Sequence, residues 1–353
     1  MSTNHSNPLF NPLDICRENV KVLSPYTSAR DEYVSDGTQM IFLDANENPN
    51  ENGLNRYPDP LQRSLKQLWS RIKGVSGEQV LFGNGSDEVL DLLFRAFCEP
   101  NKDSIITLPP TYGMYQVLAG INGVTQIEVS LKKDFSIDTK AVLKAFVPEA
   151  KLLFVCSPNN PTGNLMDVND VKILLNSFKG LVVVDEAYID FSEQDSFIKL
   201  LDQYPNLVVI QTLSKAYGLA GIRLGVLMAS KQIIQILLKI KPPYNVNVLS
   251  QQKAAERIEQ QALIKNEVAT IVREKLRLET ALAAVPFVKT LFSSDANFIL
   301  ARVDNASQRY QELLNKGIVV RNRSKQLHCE NTLRFTVGTP QENNTLINTL
   351  RTL

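Results

Sequence analysis

Short, mostly apolar runs recur along the middle of the chain, at residues 104–108, 126–129, 152–156, 181–184, 207–212 and 224–229, each separated from the next by text of helical periodicity. Runs this short and this rich in Val, Ile and Leu are the pattern of strands buried on both faces, which predicts a mostly parallel sheet with helices on either side. Ligands of such a sheet belong at the carboxyl ends of its strands. Upstream, residues 1–38 are polar and broken by Pro8, Pro12 and Pro25, the text of an N-terminal arm with one short helix. Downstream, Lys241-Pro242-Pro243 ends the alternation, and residues 247–284 contain no proline and read as one long connecting helix. Strand-like runs at 297–302, 317–320 and 332–337, flanked by helical text at 305–316 and 341–352, predict a small α+β domain. The division expected is therefore an arm (1–38), a large α/β domain (39–245) and a small C-terminal α+β domain (246–353).

Composition narrows the function classes. Across 353 residues, 38 Lys and Arg against 37 Asp and Glu leave a net charge of +1, which offers no global field for nucleic acid or an anionic membrane. No run approaches the roughly 18 apolar residues of a membrane helix, and the first residues carry no leader-like apolar stretch. The four cysteines lie far apart and only two histidines occur, so no metal centre is expected, and the thiols fit a reducing, cytoplasmic setting.

Four motifs stand at strand ends. Gly83-Asn84-Gly85-Ser86-Asp87-Glu88 joins a strand-like segment at 79–82 to an amphipathic helix at 89–97. Its glycines allow close backbone approach, and the helix start offers N–H groups to a phosphate, although Ser86 or Asp87 serve equally as a simple helix cap. Glu88 stands where a dinucleotide-binding turn needs its third glycine. Ser157-Pro158-Asn159-Asn160-Pro161-Thr162-Gly163 follows the strand at 152–156 and puts the Asn160 amide at its end. Asp185-Glu186-Ala187-Tyr188 follows four buried apolar residues, so Asp185 requires a cationic partner. Thr212-Leu213-Ser214-Lys215 ends another strand, and Arg223 comes eight positions later. A single lysine there is most often a solvated surface group. The conjunction of helix start, amide, acid, tyrosine, lysine and arginine on one rim is what points to chemistry.

Pyridoxal phosphate is the small molecule that calls for this combination. Its phosphate suits Gly85, Ser86, Asp87, Ser214 and Arg223, its aldehyde Lys215, its ring nitrogen the Asp185 carboxylate, and its phenolate oxygen Asn160 and Tyr188, with Thr212 a further cofactor contact. Tyr112, in Pro110-Thr111-Tyr112-Gly113, is placed to stack on the ring.

The ordered motifs GSDE, PTYGMY, SPNNPTG, DEAY, SKAYGLAGIRLG and LRFTVGT resemble those of the fold-type I aminotransferases, and within them the histidinol-phosphate branch, from about residue 20 to the C-terminus. The resemblance implies that Lys215 bonds the cofactor and shuttles a proton, with Asp185 and Tyr188 as its catalytic companions. It further implies that Tyr26, Asn46, Asn160, Arg321 and Arg334 line the substrate pocket, and that the chain is a homodimer in which Tyr57 reaches the partner's cofactor phosphate. Its amino donors would be histidinol phosphate and glutamate, whose distal anions suit a bidentate guanidinium such as Arg334, with 2-oxoglutarate as the acceptor.

An aromatic amino-acid aminotransferase and a phosphothreonine-type decarboxylase share this cofactor shell. A nicotinamide oxidoreductase leaves Lys215 unexplained. A transcription regulator built on such a module needs a helix-turn-helix that the first 38 residues do not supply. Two departures from the family pattern remain: Tyr217 stands where many relatives carry phenylalanine, and Arg323 has no role in it.

Overall fold

The computed structural model of the chain describes residues 10–25 and 40–353. Strands β1 (Val80–Asn84), β2 (Ser104–Thr107), β3 (Thr125–Glu128), β4 (Ala150–Cys156), β5 (Leu181–Asp185), β6 (Leu207–Thr212) and β7 (Leu224–Ala229) form one sheet in the order β1-β7-β6-β5-β4-β2-β3. All run the same way except β7, which is antiparallel to both β1 and β6. The expectation of a mostly parallel sheet thus holds with one reversed strand. Apolar side chains on both faces look alike in either chain direction, so the runs themselves do not announce the reversal.

Two cores alternate residue by residue through these strands. Val80, Phe82, Leu153, Val155, Val182, Val184 and Val209 face one side, where the helices Arg63–Lys73 and Val168–Ser177 cover them. Leu81, Leu152, Phe154, Leu181, Val183, Val208 and Ile210 face the other, under Gly85–Phe97, Met114–Ile121 and Lys231–Leu238. The period of two in side-chain direction is what makes each run apolar throughout. Cys16 and Val20, the latter on the short helix Glu18–Lys21, join the second core, and Arg17 pairs with Glu99 at 3.1 Å. No helix of the described residues is long and apolar enough to cross a membrane.

The single long helix expected over 247–284 is two helices, Val248–Glu259 and Gln261–Ala283, broken at Gln260. Neither glycine nor proline marks the break. It is held instead by Arg257, whose Nε donates to the Tyr217 carbonyl at 2.9 Å and whose Nη2 bonds Glu267 across the bend. A second sheet follows, of β8 (Val288–Leu291), β9 (Phe298–Val303), β10 (Arg321–Asn322) and β11 (Thr332–Thr336), in the order β10-β11-β9-β8. The strand expected at 317–320 is corrected: the ladder begins only at Arg321, and β8, polar at Lys289 and Thr290, gave no apolar signal. Ile299, Ala301, Leu333 and Phe335 of this sheet pack with Leu278, Leu282 and Leu346 in a third core, while Phe298 and Leu300 on its opposite face join the first core of the large sheet.

Candidate active site

The sheet directs its polar strand ends to one rim. Asp185 is the last residue of β5, Thr212 the last of β6, and Cys156 the last of β4, while reversed β7 begins just after Arg223. Because β7 runs backward, a connection of 11 residues suffices to return to the rim it left, bringing Lys215 and Arg223 to the same edge.

The β1 end and the Arg223 turn are interlocked. The Gly85 N–H donates to the Arg223 carbonyl at 2.9 Å. Gly85 has φ +77°, and a Cβ there would lie 2.6 Å from Arg223 Nη2, while one at Gly225 would lie 2.3 Å from the Gly85 carbonyl carbon. Glycine is required at both positions for this approach. The helix Gly85–Phe97 starts immediately after β1, and no side chain caps it, so the capping alternative for Ser86 and Asp87 fails. With the Gly85 N–H spent on Arg223, the first-turn N–H groups after it stay available to an anion. Arg223 Nη2 stands 3.6 Å from Asp87, and the Tyr112 hydroxyl donates to the other Asp87 oxygen at 3.1 Å.

These residues enclose a cavity of about 180 Å³. Of the residues read from the sequence as cofactor or catalytic, Ser86, Asp87, Tyr112, Asn160, Asp185, Tyr188, Thr212, Ser214, Lys215 and Arg223 all line it, while Gly85 touches the lining residue Arg223 without lining the cavity itself. Asp185 is buried, and the loss of hydration raises its carboxyl to about 6 despite hydrogen bonds from Tyr115 Oη at 2.8 Å and the Ala187 N–H at 3.2 Å. Burial, then the neighbouring Arg334 charge, lowers the Lys215 amine, whose Nζ lies 5.7 Å from the Tyr188 ring centre. Burial pushes the Tyr188 hydroxyl up to about 12. Thr212 Oγ1 accepts from the Ser214 N–H at 3.2 Å, fixing the turn that presents Lys215.

The walls are fastened to one another. Asn159 Nδ2 donates to the Pro110 carbonyl at 2.8 Å and its Oδ1 accepts from Thr111 at 3.1 Å, tying the turn after β4 to the turn after β2. From the small sheet, Arg334 Nη1 donates to Asn160 Oδ1 at 2.5 Å and its guanidinium covers the Phe298 ring at 5.0 Å. Arg321 sits opposite Arg334 in the β10–β11 ladder.

Not every expected residue joins this cavity. Tyr57 and Asn46 lie together in a separate, open cavity of about 610 Å³, where Tyr57 stacks on Tyr244 with ring centres 4.5 Å apart. Tyr26 lies outside the described residues. Sequence reasoning missed Tyr115, which reads as one more apolar residue of the helix Met114–Ile121; its only signal is a spacing of three from Tyr112, against which it packs edge-on at 5.6 Å. It also missed the role of Glu186, which turns away from the cavity and accepts from the Phe197 N–H at 2.7 Å and from Gln211 Nε2 at 2.8 Å.

The residues fit pyridoxal phosphate on three independent counts. Among the described residues the buried Asp185 carboxylate forms no ion pair, a lysine amine is disposed to lose its proton, and an uncapped helix start faces an arginine across two obligatory glycines.

Comparison with known proteins agrees. The family aminotransferase class I and II matches residues 34–350. The histidinol-phosphate aminotransferase of Flavobacterium johnsoniae is 57% identical over 340 residues, covering 96% of this chain and 97% of that one. Among solved structures, the histidinol-phosphate aminotransferase of Clostridium acetobutylicum superposes with a TM-score of 0.78 at 24% identity, covering 85% of this chain and 90% of that one. That of Sinorhizobium meliloti, in complex with pyridoxal-5'-phosphate, gives 0.76 at 23% identity, covering 84% and 82%.

Proposed function

The chain belongs to the class I and II aminotransferases, and from that premise we propose that it transfers the amino group of L-histidinol phosphate to 2-oxoglutarate, giving imidazole-acetol phosphate and L-glutamate, in histidine biosynthesis. The observation that carries the reading is the convergence of Lys215 and Asp185 on one cavity, with Arg334 bonded to its wall residue Asn160, in a chain 57% identical to a histidinol-phosphate aminotransferase over nearly its whole length. When bound, pyridoxal phosphate supplies a protonated ring that draws electron density from the substrate Cα as its C–H bond breaks.

The chain's own residues do the rest. The backbone N–H groups of Ser86 and Asp87, with Ser214 and Arg223, hold the phosphate at the helix start, Gly85 keeping the backbone close and Thr212 supporting the turn. The Asp185 carboxylate receives the ring N–H and keeps that proton in place; Tyr115 holds the carboxylate in its charged form. Tyr188 and Asn160 bond the ring oxygen, and Tyr112 packs on the ring face. Lys215 Nζ carries the cofactor and moves the proton from Cα, which its lowered affinity for protons favours. Arg334, with Arg321, takes the distal anion of either donor.

Subunit pairing completes the site. Ile41 and Leu43 are 86% and 88% exposed, and Leu54, Tyr57 and Leu249 are also exposed near the cavity holding Asn46. We assign this apolar surface to a two-fold homodimer interface through which Tyr57 reaches the partner's cofactor phosphate and Asn46 and Tyr26 complete the substrate pocket. Lys215→Ala and Tyr57→Phe mixed under subunit exchange should then recover activity that neither has alone; full activity of Tyr57→Phe by itself overturns the sharing. Four free, buried cysteines suit a cytoplasmic setting.

The deciding experiment offers the purified protein 2-oxoglutarate with histidinol phosphate, histidine, phenylalanine or phosphothreonine and measures the glutamate formed. Histidinol phosphate should be preferred. Better use of phenylalanine makes the protein an aromatic aminotransferase, and loss of carbon dioxide from phosphothreonine makes it a decarboxylase.

A further inference from the structure

Three arginines leave the small sheet on one side. Arg321 lies opposite Arg334 in the β10–β11 ladder, and the Arg323 N–H continues that ladder by donating to the Thr332 carbonyl at 2.9 Å. Cross-strand partners share a face of a sheet, and so do residues two apart on one strand, so Arg321, Arg323 and Arg334 project together. The face is the one turned toward the large sheet, because Leu300, the partner of Arg334 on β9, packs into the large sheet's core while Leu333 and Ala301 face the opposite way. Arg334 shows where the face looks: its guanidinium reaches Asn160 at the cavity wall.

The cluster is electrically incomplete. Among the described residues none of the three arginines forms an ion pair with a carboxylate, and the Nε atoms of Arg323 and Arg334 are both buried without a hydrogen-bond partner. Burial, followed by the charges of Arg334 and Arg321, brings Arg323 down to about 10, where it is still protonated at neutral pH. Besides these two arginines, Tyr188 and Cys329 face it. Buried donors without acceptors and like charges on one face are costly, and an anion of more than one charge relieves both.

Resting on the histidinol-phosphate reading, we propose that Arg323 is the specificity-determining residue of the substrate pocket, the third guanidinium of an anion cup that selects a phosphate dianion over a carboxylate. A carboxylate has two oxygens and one charge, which a single fork from Arg334 satisfies. A phosphate monoester has three terminal oxygens and close to two charges at neutral pH, losing its second proton near pH 6. The added oxygen and the added charge are what Arg323 meets, with Arg321 at the rim.

The test compares wild type, Arg323→Met and Arg323→Lys with histidinol phosphate and with glutamate as donors, from pH about 5.5 to 8, across the phosphate's second ionisation. In wild type KM for histidinol phosphate should fall as pH rises through that ionisation. Arg323→Met should lower kcat/KM for histidinol phosphate about 10- to 100-fold, mainly through KM, leave glutamate within about 3-fold, and flatten the pH dependence; Arg323→Lys should restore most of both. Equal losses on the two donors would make Arg323 a structural residue and overturn the proposal, as would an unchanged donor preference with an unchanged pH profile. Failure of the reading beneath is visible separately, because wild type itself would then not use histidinol phosphate, and the assignment of Arg323 falls with it.

Discussion

Arg334 Nη1 donates to Asn160 Oδ1 at 2.5 Å, so an arginine of the small sheet orients an amide that lines the cavity of the large one. A guanidinium has donors only, which compels the Asn160 oxygen to face it and leaves the amide nitrogen free to donate elsewhere. The two sheets are thereby coupled at the cavity wall: under the proposed function, the group that takes the substrate's anion also orients the amide assigned to the cofactor's ring oxygen.

Arg334→Ala should weaken glutamate and histidinol phosphate together, each by about 10- to 150-fold in kcat/KM, the range of one charge-assisted hydrogen bond. Steady-state kinetics with both donors check this. Loss confined to one donor would mean that the two anions occupy different sites.

Tyr115→Phe removes the hydroxyl that donates to Asp185 at 2.8 Å. A donor to a carboxylate favours its charged form, so without it the carboxyl should move upward from about 6. The acid limb of the kcat profile should shift to higher pH, and kcat at neutral pH should drop by about 10-fold or more. An unmoved acid limb refutes the coupling.

Lys215→Ala should abolish multiple turnover while the protein still retains pyridoxal phosphate through the Gly85–Asp87 helix start and Arg223. Absorption spectra of the purified variant, with and without added donor, read the two effects apart. Near-normal turnover would remove Lys215 from the chemistry.

Glu186 predicts a pH dependence of stability rather than of rate. Its carboxyl, raised by burial to about 7 against an ordinary 4.5, holds its proton in the folded chain through a range where the unfolded chain has lost it. Stability should therefore fall as pH climbs from about 4.5 to 7, by on the order of 3 kcal/mol, and change no further from this group above that. Urea midpoints at pH 5 and pH 7 measure it, and in Glu186→Gln the step attributable to this group should vanish.

Much of this site is visible in one dimension because its residues follow directly on runs that burial makes unmistakable. Asp185 ends β5, Lys215 comes three residues after β6, and Asn160 four after β4. What escapes is carried by residues whose partners are distant or whose type is ambiguous. Tyr115 is apolar by its helical position and polar only through Asp185, 70 residues away. The bend at Gln260 depends on a bond from Arg257 to a carbonyl 40 residues earlier. Arg323 shows its bearing only when the β10–β11 register sets Arg321 opposite Arg334 and Arg323 opposite Thr332, since the apolar run at 317–320 points to a strand that ends before either arginine.

The place of β7 between β1 and β6 also dictates an order of assembly. β1 is the first strand of the large sheet to be synthesised, yet it pairs with β7 alone, whose first residue comes 140 positions after β1 ends (224 − 84). At the roughly 5–20 residues per second of a ribosome, β1 waits about 7 to 28 seconds for that neighbour. The corner where Gly85 meets Arg223 and Gly225 is therefore a late joint: the ribosome must deliver the whole large sheet before this edge of the cavity can close.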